Sequence, residues 1–167
     1  MEILKYSEAH RAFRKRLQAF LAEAVTPHAA RWEQDRIVPR DIWRRMGQNG
    51  FLCMDLPPEY GGIGADFLYS VILTEEMSRT GITGLAAALH NDIVVPYIST
   101  YGSEQQKRCF LPGCASGAIV TAVAMTEPDA GSDLAAMKTL ATADGDHVIL
   151  NGAKTFISNG LLADLVI

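Results

Sequence analysis

The periodicity of apolar residues changes character once along this 167-residue chain, and that change limits the fold more than any single motif does. Up to about Leu111, apolar side chains recur at three- and four-residue intervals, the spacing of one face of an α-helix. From Ile119 onward they fall instead in short runs rich in Val, Ile, Thr and Phe: IVTAVAMT, TLATAD, HVILNG and KTFIS. Branched and aromatic residues in runs of that length favour strands. Helices in one block and strands in the next exclude an alternating βαβ fold and predict an α+β chain. The boundary is placed in PGCASGA, Pro112 to Ala118, giving a helical domain over 1–117 and the opening of a β domain over 118–167.

Within the helical block, Ala9, Phe13, Leu17, Phe20, Leu21 and Ala24 form one stripe, with Arg11, Arg14, Lys15, Arg16 and Gln18 facing elsewhere. Pro27 ends or bends that helix. Pro39 opens a short helix carrying Ile42, Trp43 and Met46, stopped by Gly47 or Gly50. LPPEYGGIGAD is a loop, and Asp66 caps a helix from Phe67 to Arg79 that Gly81 stops. GLAAALHNDIVVPYISTYG is helical in pattern with a break near Pro96, and Ser103 with Gln106 forms a capping box for a last helix reaching about Leu111. In the β block, DGDH and NG lie at hairpin spacing. ADLVI, Ala163 to Ile167, reads as another strand. Four or five strands do not close a barrel, and an open sheet leaves unpaired edges, so the chain is expected to stop inside a domain.

A formal charge of −4 argues against a nucleic-acid or anionic-membrane partner. Cys53, Cys109 and Cys114 are odd in number and lack CxxC spacing, so neither a disulfide framework nor a zinc site is indicated, and a reducing cytoplasm fits best. The N-terminus reads straight into an amphipathic helix, without the apolar core of a signal or a membrane span. His10, His28, His90 and His147 are scattered without ligand spacing. Glu75 and Glu76 are adjacent on a helix and point apart; with Arg79 they read as a solvated helix end. Trp32 and Trp43 read as core.

The chemistry concentrates in MTEPDAGSD, Met125 to Asp133, directly after an apolar run. Gly131 and Ser132 there offer backbone N–H groups and a hydroxyl with no bulky side chain in the way, so the loop can approach a pyrophosphate or a flat ring. It is neither a GxGxxG turn nor a GKS phosphate loop, and a strand-exit Gly-Ser on its own is as a rule only a turn. Spacing sharpens the reading. AMTEPDAGSDLAA, Ala124 to Ala136, followed by NGAKTFISNG, Asn151 to Gly160, resembles the acyl-CoA dehydrogenase family. The Ala124–Ala136 segment fits that family's signature without mismatch. The Asn151–Gly160 segment is similar to its Lys-x-Trp-Ile-Thr-Asn-Gly element. EYGGIGAD, LHNDIVVPYISTYGSEQQKRCFLP and LLADLVI are most similar to the long-chain branch, so the resemblance runs over essentially the whole chain.

The resemblance implies an N-terminal helical domain, a middle β-barrel and a C-terminal helical bundle, with FAD between the last two. It implies oxidation of a fatty acyl-CoA to the trans-2-enoyl-CoA, with electrons passing to an electron-transferring flavoprotein, in a homo-oligomer (tetramer or dimer). The setting is the bacterial cytoplasm, or the mitochondrial matrix for a mature eukaryotic form. By similarity, Val123, Ala124, Met125 and Thr126 lie against the isoalloxazine edge, and Thr126 bonds the ring. Gly131 and Ser132 serve the FAD pyrophosphate, with Ser132 also near the CoA moiety. Phe156 flanks the ring, and the Ser158 hydroxyl reaches flavin N5. Leu85, Ala87 and Leu89 lie where the family lines its acyl pocket. Glu127 is structural in the family. The catalytic glutamate is expected beyond Ile167, so residues 1–167 alone are expected neither to retain FAD nor to turn over acyl-CoA. Phe156 and Ser158 depart from the family's usual Trp and Thr, keeping an aromatic face and a hydroxyl, and Val123 replaces an aromatic of some members. An acyl-CoA oxidase or flavin monooxygenase on the same scaffold, or a non-catalytic partner subunit, remain the alternatives.

Overall fold

Seven helices precede four short strands among residues 4–167, the part of the chain that the structure, a computed structural model, describes. The helices are α1 (Glu8–Ala24), α2 (Ala29–Asp35), α3 (Arg40–Gln48), α4 (Phe67–Thr80), α5 (Ala87–Leu89), α6 (Val95–Tyr101) and α7 (Glu104–Ser116). The strands are β1 (Thr121–Ala122), β2 (Leu140–Asp144), β3 (His147–Asn151) and β4 (Leu165–Val166). The architecture is α+β, helical first.

The start of α1 shows how local sequence fixes an element. The Ser7 hydroxyl accepts the His10 amide, and His10 Nδ1 accepts the Ser7 amide at 3.0 Å, a reciprocal cap in which histidine stands where Glu or Gln is usual. Because Nδ1 accepts, Nε2 carries the proton and donates to Asp66 Oδ1 at 3.0 Å. Asp66 also caps α4 by accepting the Leu68 amide, so one carboxylate joins the beginnings of the two helices. Between them, Phe13, Leu17, Phe20 and Leu21 meet Phe51 and Leu73 in the core. Trp32 and Trp43 are both buried there.

Two expectations about this half are corrected. Glu76 is not solvated; it is 4% exposed. Its face of α4 turns toward α1, where Arg14 and Gln18, one helical turn apart, reach in to bond its carboxylate, and Arg79 adds a contact at 2.8 Å. Nor does α7 stop near Leu111. It continues through Pro112 to Ser116, because Pro112 and the carbonyl partner it frees at Arg108 both lie on the exposed side, where water serves. The helix ends at Gly117, whose φ of 71° a side chain would resist. A Cβ there would also lie 2.1 Å from the Trp43 carbonyl oxygen. Before it, the break expected near Pro96 takes the form of a π-helical turn, His90–Val94, which leads into α6.

The β block is sparser than its composition suggests. β2 and β3 form an antiparallel hairpin around Gly145 and Asp146, as DGDH foretold. β1 pairs in parallel with β4, Thr121 opposite Leu165. IVTAVAMT yields only two ladder residues, and KTFIS yields none: positive φ at Phe156 (57°) and Asn159 (63°) turns the chain instead of extending it. Asn151-Gly152 does not close a hairpin either, since the next segment crosses to Thr126, whose carbonyl accepts the Thr155 amide at 3.0 Å.

Helical and β parts are joined at two polar points. Arg40, first residue of α3, holds Asp164 through two 2.8 Å bonds and also donates to the Leu162 carbonyl. Asp164 in turn accepts the Val120 amide at 2.9 Å. The Arg40 guanidinium holds the Asp164 carboxyl below its ordinary value. The other point is His90, described below. Cys53, Cys109 and Cys114 are free thiols. Among the described residues no helix is long and apolar enough to cross a membrane, and no group of His, Cys, Asp or Glu could hold a metal ion.

Candidate functional site

Two segments carry the residues singled out in the sequence, and backbone bonds bring them side by side. The first runs from β1 through Val123, Ala124, Met125 and Thr126, all half-buried. Its path is fixed at one end by the ladder to β4 and an Ala124 amide bond to the Ile167 carbonyl at 2.6 Å. At the other end Glu127, Pro128, Asp129 and Ala130 close a tight turn, the Glu127 amide donating to the Ala130 carbonyl at 2.8 Å. Gly131 and Ser132 follow on the exposed rim. A Cβ on Gly131 would meet nothing within 4 Å, so the loop borders open space. Asp133 then caps the short turn Leu134–Ala136.

The other segment, 154–160, begins at the Thr155–Thr126 bond and then turns outward. Phe156 is 90% exposed, an aromatic ring held out of the core. Ser158 is exposed, whereas Asn159 is anchored by donating from Nδ2 to the Thr121 carbonyl at 3.1 Å. Among the described residues, the hydroxyls of Thr126, Ser132 and Ser158 make no hydrogen bond within the protein. Ordinarily such hydroxyls bond nearby backbone. Here each is left available to a ligand.

Ser158 also lines a cleft of about 410 Å³ between the two parts of the chain. Its helical wall includes Trp32, Ile37, Val38, Ile82 and Ala86, and its far wall is the 157–162 turn. Of the residues predicted on the acyl side, Leu85 and Ala87 are enclosed in the core and Leu89 is half-buried; Gly84 and Ala86 are the members of that stretch that face the cleft. Thr126, Ser132 and Phe156 do not line it.

Beneath the first segment, Glu127 and His90 supply support. Glu127 is buried; Oε2 accepts the Lys138 amide at 2.7 Å, and Oε1 accepts the Thr139 amide at 3.0 Å and Lys154 Nζ at 2.9 Å. The Thr139 and Lys138 amides and the Lys154 ammonium together hold its pKa down at about 2. A carboxylate so fully engaged is no proton acceptor. His90 is fully buried on the π-helical turn. Its Nδ1 accepts from the Thr121 hydroxyl at 2.8 Å and amide at 3.3 Å, so Nε2 donates to the Cys114 carbonyl at 3.1 Å. Burial pushes its pKa down to about 4, so it stays neutral. Periodicity gave no sign of this role for His90. The signal for Lys154 was present, a lysine at the head of the strand-like run KTFIS, but only the folded chain shows what it reaches.

FAD chemistry fits this donor set: three hydroxyls without a partner inside the protein, an unobstructed glycine beside one of them, and an exposed aromatic ring at Phe156. Comparison with known proteins points the same way. Residues 7–118 match the family model for the acyl-CoA dehydrogenase N-terminal domain, and residues 122–167 match the model for its middle domain. The long-chain specific acyl-CoA dehydrogenase of Sus scrofa mitochondria is 44% identical over 162 residues, 97% of this chain and 38% of the relative. An acyl-CoA dehydrogenase structure from Geobacillus kaustophilus is 49% identical with a TM-score of 0.94, covering 99% of this chain and 43% of that one. One from Bacillus anthracis, complexed with FAD, is 35% identical with a TM-score of 0.89, covering 98% of this chain and 28% of that one. The chain thus spans well under half the length of these relatives.

Proposed function

The chain belongs to the acyl-CoA dehydrogenase family, and from that premise we propose that it supplies the flavin-facing and acyl-facing elements of an enzyme that dehydrogenates fatty acyl-CoA thioesters. Its domains are taken as 1–117, helical, and 118–167, the start of the middle domain. The observation that carries the reading is the set of unbonded hydroxyls at Thr126, Ser132 and Ser158, presented by two segments that the Thr155–Thr126 bond holds together.

FAD, when bound, supplies the two-electron acceptor for α,β-oxidation of the thioester. The chain's own residues bind and orient. Thr126 and Ser158 donate hydrogen bonds to the ring where negative charge develops, which is where fixed donors accelerate a reaction most. The Gly131 amide and the Ser132 hydroxyl serve the pyrophosphate. Phe156 covers one edge of the ring from water. The stretch carrying Leu85, Ala87 and Leu89 flanks the acyl chain, with Ala86 as the side chain that opens onto the cleft. Glu127 is excluded as the base by its three donors, and the base is proposed to lie outside these residues. The similarity to long-chain relatives supports a long acyl chain, and the family supports an electron-transferring flavoprotein as acceptor and a homo-oligomeric assembly.

Stopped-flow reduction of the FAD-loaded enzyme by acyl-CoAs of graded length tests the reading. Bleaching of the flavin band on mixing with a long-chain acyl-CoA is expected. An enzyme that carries this chain together with the base, takes up FAD and is not bleached by any acyl-CoA would overturn it.

A further inference from the structure

Lys154 opens the second candidate flavin segment, and its side chain reaches the first. Its Nζ is 2.9 Å from Glu127 Oε1 and 3.2 Å from the Met125 carbonyl oxygen, and Met137 Sδ is 3.5 Å away. The next residue, Thr155, donates its amide to the Thr126 carbonyl at 3.0 Å. Glu127 carries the connection further, accepting the amides of Lys138 and Thr139 at the entrance to β2. Three stretches, 125–127, 137–139 and 154–155, therefore converge on a single ion pair.

The pair is enclosed: the Glu127 side chain is 6% exposed and that of Lys154 23%. Enclosure matters because an ion pair on an open surface constrains its neighbours little, whereas one out of water with further hydrogen bonds fixes geometry. Thr126 sits between the two residues whose carbonyl and carboxylate Lys154 holds, and Ser158 follows Lys154 by four positions. No regular ladder links the two segments beyond the single Thr155 bond, since neither is a strand over these residues. Beyond that bond and the Asn159 side-chain bond to the Thr121 carbonyl, the separation of the segments at Thr126 is set by the Lys154–Glu127 pair.

We infer that Lys154 is a positioning residue, which with Glu127 sets the distance between the Thr126 and Ser158 hydroxyls and so their simultaneous fit to one flavin ring. The inference rests on the flavoenzyme reading above. A hydroxyl displaced by about 1 Å gives up most of its hydrogen bond, so loss of the clamp weakens both ring contacts without removing either donor.

The test compares Lys154→Met with Glu127→Gln, and reads the flavin midpoint potential of the FAD-loaded enzyme. If these groups acted on the flavin through charge alone, the two substitutions would shift the potential in opposite directions, because one removes a cation and the other an anion. Positioning predicts the same direction for both, toward more negative values, since each loosens the donors that favour the reduced ring. A fall of about tenfold in the rate of flavin reduction is expected in each, the size of one lost hydrogen bond, with Lys154→Arg recovering part of it. Opposite shifts, or no shift, would overturn the proposal. Amide exchange in the FAD-free protein gives an independent arm: Lys138, Thr139 and Thr155 should lose protection in both variants, and unchanged protection also overturns the clamp. A wild-type enzyme that carries this chain together with the catalytic base and still takes up no FAD would refute the flavoenzyme reading, while the exchange data would still decide whether Lys154 holds the segments together.

Discussion

The His90 imidazole accepts a 2.8 Å hydrogen bond from the Thr121 hydroxyl, joining the π-helical turn of the helical part to the first residue of β1. Since the same ring donates to the Cys114 carbonyl at the end of α7, a single neutral histidine fixes the approach of three elements to the strand that leads to Thr126. The Trp43 ring packs edge-on against it at 5.4 Å.

That arrangement fixes a pH dependence. Burial lowers the His90 pKa from 6.5 to about 4, so the folded state resists a proton that the unfolded state accepts. Its contribution to stability is whole above pH 6.5 and is lost as pH falls from there through about 4, reaching about 3 kcal/mol at the low end. Urea titrations across this range should show the wild type losing more stability than His90→Gln, which can still donate to Cys114 and accept from Thr121 but does not titrate. Parallel curves for the two proteins would show that His90 protonates freely in the fold.

Ser158→Ala tests the ring contact directly. The hydroxyl has no partner within the protein and lies on an exposed turn, so its removal leaves the fold as it was. With the hydroxyl bonded to the flavin, the substitution slows flavin reduction by about ten- to hundredfold, the worth of one charge-assisted bond, and leaves acyl-CoA affinity nearly unchanged. Unaltered reduction kinetics would remove Ser158 from the mechanism.

Glu76 is a buried polar residue of the helical core whose loss should lower stability. Burial by itself would raise its pKa, but the Gln18 and Arg14 hydrogen bonds outweigh burial and the group is held below its ordinary value. Glu76→Ala leaves Arg14 without its most enclosed partner, though Glu75 at 2.7 Å remains. Removing one member of a buried pair costs about 3 kcal/mol. The partly exposed Arg79 and the surviving Glu75 contact bring the expected loss to about 2 kcal/mol, measurable as a lower Tm. A loss under about 0.5 kcal/mol would mean that the network is surface-like.

These residues also show what sequence conveys and where it stops. Caps and turns are encoded within a few positions, so Ser103 with Gln106, Asp66 and Gly81 could all be assigned before the fold was known. The flavin-type motif was equally local, an ordered string of small and hydroxyl-bearing residues. Glu76 could not be read, because what makes it buried is Arg14, 62 positions earlier on another helix. Pro112 misled for a related reason: a proline stops a helix only if the carbonyl it frees has nowhere to go, and exposure is a tertiary property. KTFIS has the composition of a strand, yet the left-handed turns at Phe156 and Asn159 serve a loop that presents side chains outward. Propensity describes a pleated, half-buried surface, and this segment occupies none.

A last pair of substitutions separates packing from ligand contact in the 84–89 stretch. Ala87 is wholly enclosed in the core, whereas Ala86 faces the cleft that Ser158 shares. Ala87→Phe therefore forces extra carbons into filled space, at about 1–3 kcal/mol, and lowers activity toward short and long acyl-CoAs alike. Ala86→Phe places the same ring into a cleft of about 410 Å³, where little has to move. The ring takes volume that a long chain would occupy and a short one would not reach. Turnover of long-chain acyl-CoA should thus fall more than that of short-chain acyl-CoA, with Tm nearly unchanged. The reverse pattern, a chain-length effect at Ala87 and none at Ala86, would place the acyl chain on the inner side of this stretch and require the core there to open on binding.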